Sequence, residues 1–296
     1  MIMFDRLIVI GMGLMGSSVL RAARKRGLAT KLIGVDSNSD SVKRAVEIGL
    51  VDQASGNPAD IVQLNEGSEL WVLAVPVQQM EQVFTQIKPL LTGQSLVTDL
   101  GSTKVSVVEA ANRVWGQAPP GFVPAHPIAG SELSGVEAGN GNLFVSHWVL
   151  LTPGASTDAA ALQRVELFWQ QLGAKTELMS AKHHDEVLGA TSHLPHLLAY
   201  ALVDALATQE NSRAVFRYAA GGFRDFTRIA ESDPQMWHDI LLANSAAVLQ
   251  QLENFDQHLD QIRQAIREQD GAALIKILSR AQHARRAYRR AVENKH

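Results

Sequence analysis

Residues 7–16 read LIVIGMGLMG, and this stretch decides the fold. Leu7 to Ile10 are four apolar residues in a row, the mark of a strand buried on both faces. Gly11, Gly13 and Gly16 follow at once, spaced as in the dinucleotide-binding fingerprint, and an amphipathic stretch begins at Ser17. Gly11 permits the tight turn, Gly13 lets the backbone approach a pyrophosphate, and Gly16 lets helix and strand pack closely. Leu14 and Met15 fall in the first helical turn, where free N–H groups and the helix dipole favour an anion. An acid, Asp36, stands 20 residues beyond Gly16, at the end of the next apolar run. A carboxylate there accepts hydrogen bonds from the ribose hydroxyls of NAD and repels the 2′-phosphate of NADP. Ser37, Asn38 and Ser39 supply no arginine to reverse that choice. Asp36 can also cap the helix that follows.

Outward from this stretch, short β-branched runs alternate with amphipathic segments up to about residue 180. Strands are predicted at 7–10, 32–35, 70–75, 95–99, 122–125 and 148–152, with an edge strand at 174–179. Residues 130–142 are glycine-rich and read as a long loop or broken connection. Nearly all-apolar strands imply a parallel sheet covered by helices on both sides. In such a doubly wound sheet the ligand crevice lies at the carboxyl ends of the strands. Val75 and Pro76 end one strand, and Ser102 follows another, so all three face that crevice. Pro76 also suits a plain turn, and Ser102 a helix cap.

Beyond residue 180 no strand is apparent. Helices are predicted at 188–207, with Pro195 near its start, at 236–269 as one very long helix, and at 272–294. Val248, Leu252, Phe255, Leu259, Ile262 and Ile266 are spaced 4, 3, 4, 3, 4, a heptad stripe that requires a partner helix. The expected architecture is an α/β Rossmann-like domain, residues 1–180, followed by an all-α substrate and dimerisation domain, residues 181–296.

Composition bounds the function. With 296 residues, 46% hydrophobic and 19% charged, the chain can build real cores. A net charge of −3 argues against a nucleic-acid binder. There is no cysteine, so disulfides, thiolate metal sites and a cysteine nucleophile are excluded. No apolar run reaches the length of a membrane span, and the N-terminus lacks the pattern of a signal peptide. The expected protein is soluble and cytoplasmic.

His126 sits at a predicted strand end in AHPIAGSE, residues 125–132. A histidine there suits acid–base work or a structural role equally. Five segments in this order, GMGLMGSS, DLGSTK, AHPIAGSE, SHLPH and GGFRDFTR, resemble the prephenate dehydrogenase family, which includes the arogenate and cyclohexadienyl dehydrogenases. The resemblance spans residues 6 to about 270. It implies NAD-dependent oxidative decarboxylation of prephenate to 4-hydroxyphenylpyruvate, with arogenate as an alternative substrate, by a homodimer that needs no metal. It also implies roles. His126 matches the catalytic base, and Ser102 a serine that orients the same hydroxyl near the nicotinamide. Arg224 matches the arginine that grips a substrate carboxylate. His193 matches a histidine near the substrate, with His196 three residues on as its rival. Ser131 and Glu132 lie near the substrate entrance, though an acid in a Gly/Ser loop can also simply start a helix.

Two further clusters invite chemistry. His183-His184-Asp185 carries metal-binding side chains, but adjacent helical residues point about 100° apart and no further ligand is spaced to join them. Residues 272–296 hold seven basic residues and one acid. A solvated helix face that complements the helix dipole accounts for them.

Overall fold

The computed structural model describes residues 2–61, 67–131 and 133–292, the side chains of 291 and 292 excepted. The first strand, β1 (Phe4–Ile10), alternates its side chains between two cores. From Leu7 on, Leu7 and Val9 face one and Ile8 and Ile10 the other; Phe4, at the strand's start, joins the first, and all are buried. A sheet with apolar residues on both faces must be covered on both, which is why helices flank it.

The chain runs β1, α1 (Leu14–Arg26), β2 (Ala29–Val35), α2 (Ser39–Glu47), β3 (Gln53–Ser55), β4 (Glu69–Leu73), α3 (Met80–Ile87), β5 (Ser95–Asp99), α4 (Val105–Trp115) and β6 (Phe122–Val123). These strands form one six-stranded sheet in the order β3-β2-β1-β4-β5-β6, every pairing parallel. That is the doubly wound dinucleotide-binding order, with its crevice where the order reverses, between β1 and β4.

The predicted strand at 122–125 is two strands. Pro124 has no N–H and cannot continue the ladder. There the chain leaves the first sheet and enters a second with β7 (Ala125–Pro127), β8 (Trp148–Leu151) and β9 (Lys175–Leu178), preceded by α5 (Ala159–Gln171). β7 pairs antiparallel with β8, and His126 lies opposite Leu150. The edge strand expected at 174–179 is β9, in this second sheet. The strand expected at 70–75 stops at Leu73, which leaves Val75 and Pro76 in the turn beyond it.

The remaining elements are helical: α6 (Ala181–Leu188), a π turn (Gly189–His193), α7 (Leu194–Ala207), α8 (Ser212–Arg217), α9 (Gly221–Thr227), α10 (Pro234–Ala243), α11 (Ser245–Arg267) and α12 (Gly271–Val292). The single helix predicted over 236–269 is broken at Asn244, whose backbone departs from helical geometry at φ −115° and ψ 31°. The helix predicted from 188 begins earlier, with α6, and passes through the π turn into α7, whose first turn holds Pro195. The chain forms two compact units, up to Ser245 and from Ala246 on. Hydrogen bonds from α6 to the start of α4 tie the first helices after residue 180 to the nucleotide half. Among the described residues, no helix is long and apolar enough to cross a membrane.

Candidate active site

The glycine turn has the geometry of a phosphate cradle. Gly11 has φ +90°, and a Cβ there would lie 2.4 Å from the Ala74 carbonyl oxygen. A Cβ on Gly16 would lie 1.9 Å from the Gly11 carbonyl oxygen, so helix and strand meet there through bare backbone. At Gly13 the same test meets nothing within 4 Å, and Gly13 is exposed at the N-terminus of α1. Two glycines are therefore demanded by packing, and the third opens the backbone to a ligand. Leu14 and Met15, half-buried, start α1 beside it.

Asp36 stands at the end of β2. Its carboxylate accepts the Met12 N–H at 2.6 Å and the Asn38 N–H at 2.9 Å, which aims it across the glycine turn. The cap of α2 is Asn38, whose side chain accepts from Asp40 and Ser41. Asp36 is thus spared the capping role that the sequence allowed. These residues fit NAD, with the pyrophosphate at Gly13 and the ribose at Asp36. Replacing Asp36 with serine is expected to weaken the preference for NAD over NADP, read as the ratio of kcat/KM for the two cofactors. A parent enzyme with equal kcat/KM for both would overturn the assignment.

The second half of the site is a chain of buried polar groups beneath His126. Asp99, at the end of β5, accepts N–H groups from Gly101 at 2.8 Å and Ala125 at 3.2 Å and pairs with the Lys104 ammonium. Lys104 also donates to the Ala125 carbonyl at 2.7 Å. Both side chains are fully buried, so each charge requires the other. Burial pushes the Lys104 ammonium below its ordinary pKa, and Asp99 opposes that. Together they staple the end of β5 to the residue before His126.

Asp185 receives the N-terminus of α4. Its carboxylate accepts from the Lys104 N–H at 2.8 Å and the Val105 N–H at 2.9 Å, satisfying donors that a helix start leaves free. Ser102, half-buried, therefore does not cap α4. The same carboxylate lies 2.7 Å from His184 Nδ1, and His184 Nε2 lies 2.8 Å from His126 Nδ1. A carboxylate accepts, so His184 donates from Nδ1 and is left with a bare Nε2. His126 must then donate from Nδ1, and its own Nε2 keeps a free lone pair. Burial, followed by the positive charge that His184, Lys104 and His193 carry when protonated, holds the His126 pKa well below the ordinary histidine value. At neutral pH the ring is an uncharged acceptor.

His193 ends the π turn and is buried, its Nδ1 3.0 Å from the Asn244 side-chain nitrogen. Burial lowers its pKa to about 4 against the attraction of Asp185. His196 stacks on Trp237 with ring centroids 3.7 Å apart, and its Nδ1–H donates to the Ser192 carbonyl. Arg224 is exposed on α9. It lines a cavity of about 450 Å³ with Phe216, Phe223 and Glu231, and makes no hydrogen bond or ion pair through its guanidinium among the described residues. Ser131 is exposed and accepts the Leu133 N–H. Glu132 lies outside the described residues.

The structure thus joins His126 to His184, Asp185 and Lys104, and His193 to Asn244. It leaves Ser102, Ser131 and Arg224 outside this network. Sequence reasoning weighed His184 and Asp185 only as metal ligands. Among the described residues no group of three metal-binding side chains forms. The signal for their real placement was the helix phase: His184, Asp185 and Leu188 share the buried face of α6.

A doubly wound sheet, a glycine cradle with its acid, and a neutral histidine tied through Ala125 to the end of β5 are the parts of a nicotinamide-dependent dehydrogenase. Residues 19–178 match the nucleotide-binding domain of prephenate dehydrogenase, and residues 180–280 match its dimerization domain. The chain is 39% identical to a cyclohexadienyl dehydrogenase of Zymomonas mobilis over 97% of both chains. Its fold matches the crystal structure of the Aquifex aeolicus prephenate dehydrogenase in complex with hydroxyphenyl propionate and NAD+, at TM-score 0.89 and 35% identity, covering 96% of this chain and 98% of that one. It also matches a Synechocystis arogenate dehydrogenase at TM-score 0.79 and 30% identity, over 96% and 99% of the two chains. The chain belongs to the prephenate dehydrogenase family and is an NAD-dependent oxidoreductase.

Proposed function

We propose that the protein converts prephenate to 4-hydroxyphenylpyruvate, the route to tyrosine, with His126 as the base. The observation that carries this reading is the hydrogen-bonded series Asp185–His184–His126, which leaves His126 Nε2 bare in a half-buried site. The Zymomonas relative, named for cyclohexadienyl substrates in general, supports a second activity on arogenate.

NAD, when bound, supplies the acceptor for the hydride on C4 of the ring. His126 Nε2 takes the proton of the C4 hydroxyl as that carbon is oxidised. The C1 carboxylate then leaves as CO2, and its bonding pair enters the ring, which becomes aromatic. The phenolate oxygen so formed takes a proton back, so none is gained or lost overall. His184 can share the charge of the imidazolium that forms between these steps, because its Nε2 accepts from His126 and its Nδ1–H rests on a carboxylate. Ser102 orients the hydroxyl, and Arg224 binds a carboxylate with its planar fork of donors. His193, Ser131 and Glu132 complete the substrate side. Gly11, Gly13, Leu14, Met15, Gly16, Asp36, Val75, Pro76 and Ser102 hold the cofactor. The nucleotide role belongs to residues 1–180, and the substrate and dimerisation roles to residues 181–296.

A rise in absorbance at 340 nm when prephenate and NAD are mixed with the protein is the expected result. No rise would overturn the reading, and a higher kcat/KM for arogenate would make that the principal substrate. The working form is a homodimer. Leu259 and Ile266 of the heptad stripe are exposed on α11, and apolar faces of this kind are covered in obligate dimers. A folded monomer of 32.2 kDa in light scattering would count against it. The enzyme acts in the cytoplasm, as a biosynthetic step drawing on cellular NAD does; fractionation to another compartment would refute this.

A further inference from the structure

We propose that Asn244 is a positioning residue, whose amide holds His193 with its proton on Nε2 so that His193 meets the substrate as a hydrogen-bond donor. The proposal rests on the reading above for what lies against His193. Its geometric part stands on the protein alone.

Asn244 occupies the break between α10 and α11. Its backbone N–H still closes α10 on the Ile240 carbonyl at 3.0 Å, but its non-helical ψ turns the residue out of the helical path. Asn244 is 6% exposed and His193 1%, so neither can trade partners with bulk water. The Asn244 Nδ2 lies 2.8 Å from the Asp185 backbone carbonyl and 3.0 Å from His193 Nδ1. A carbonyl oxygen only accepts, so the amide must turn its NH2 group toward it. That group has two hydrogens and no lone pair to offer. The second hydrogen points at His193, and His193 Nδ1 must therefore be the accepting, unprotonated nitrogen. In a neutral imidazole the proton then sits on Nε2. A further proton on Nδ1 would set two donors against each other at 3.0 Å. Among the described residues Nε2 has no hydrogen-bond partner, so its proton is free for a ligand.

The residue whose backbone carbonyl orients Asn244 is Asp185, whose side chain begins the series that ends at His126. One residue thus sets both histidines, with opposite results. His126 presents a bare Nε2 and can take a proton. His193 presents an Nε2–H and can only donate to an oxygen of the substrate. In this form His193 cannot take a proton through Nε2. The titratable groups that face His193 are Asp185, His184, His196 and His126, and none of them contacts Nδ1.

The test is the nitrogen-15 spectrum of the histidine rings in the full-length protein, with His193 assigned by its loss in His193→Gln. In the parent, Nε2 is expected to be protonated and Nδ1 bare at pH 7. In Asn244→Leu, similar in size but without the amide, the preference for one form is expected to fall and the ring to titrate at higher pH. The KM for prephenate is expected to rise roughly tenfold, the cost of one misdirected hydrogen bond, while the acid limb of kcat set by His126 stays in place. Were Asn244→Leu to fail to fold, the parent spectrum would still decide, and Asn244→Asp, which accepts where Asn donates, is expected to move the proton to Nδ1. A parent with the proton on Nδ1, or variants with an unchanged tautomer and titration, would overturn the proposal. Failure of the parent to turn over prephenate would overturn the function reading and leave the spectrum to judge Asn244 separately.

Discussion

Alanine in place of His126 is expected to lower kcat by ~10²–10⁴-fold, the range for a lost general base, with much less change in KM. The asymmetry follows from when the residue acts. In the proposed reaction its lone pair is engaged as the hydroxyl proton leaves, so the loss falls on the transition state. The pH profile gives an independent check. A base works while neutral, so activity falls as pH drops through its pKa. Burial, with the neighbouring His184 and Lys104, holds that pKa well below the ordinary value, so the acid limb belongs well below pH 6.5, the usual value for histidine. The limb is expected to vanish in His126→Ala, while NAD affinity stays near the parent's, because His126 has no part in the glycine turn. Near-normal kcat with an unchanged profile would remove His126 as the base.

Alanine in place of Arg224 is expected to act in the opposite way. In the proposed reaction the guanidinium meets a carboxylate already present in the ground state, so KM rises more than kcat falls. Leaving a carboxylate without its bidentate partner costs on the order of 2–4 kcal/mol, or about 30- to 1000-fold in KM. Arg224 has no competing ion pair among the described residues, so no ion pair within the protein is lost with it. Arg224→Lys keeps the charge but not the fork, and is expected to fall between parent and alanine variant. An unchanged KM in Arg224→Ala would move the carboxylate site elsewhere, with Arg228, which lines the same cavity, next to be tested.

The nucleotide half was legible because its signals are local. A buried strand announces itself by consecutive apolar residues, and β5 runs from Ser95 to Asp99 as read. The glycines at 11, 13 and 16 are required within a few residues of one another. Errors arose where a local pattern met a distant partner. Pro124 was absorbed into a strand because apolar residues surround it, yet its missing N–H moves the chain from one sheet to the other. Asn244 was absorbed into a long helix because the apolar spacing runs on past it.

By itself, then, the amino-acid order determined the strand–glycine–helix turn, the acid at the end of β2, the doubly wound sheet and a histidine at the end of an apolar run at 122–125. All of these rest on contacts between residues close in the chain, or on periodicity that a strand or helix imposes. What only the tertiary structure decided is the protonation of the site. The form of His126 depends on His184, 58 residues away, and that of His193 on Asn244, 51 residues away. A histidine's tautomer is set by the atom its other nitrogen faces, and folding, which carried α6 onto the start of α4 and broke the chain at Asn244, chose those atoms.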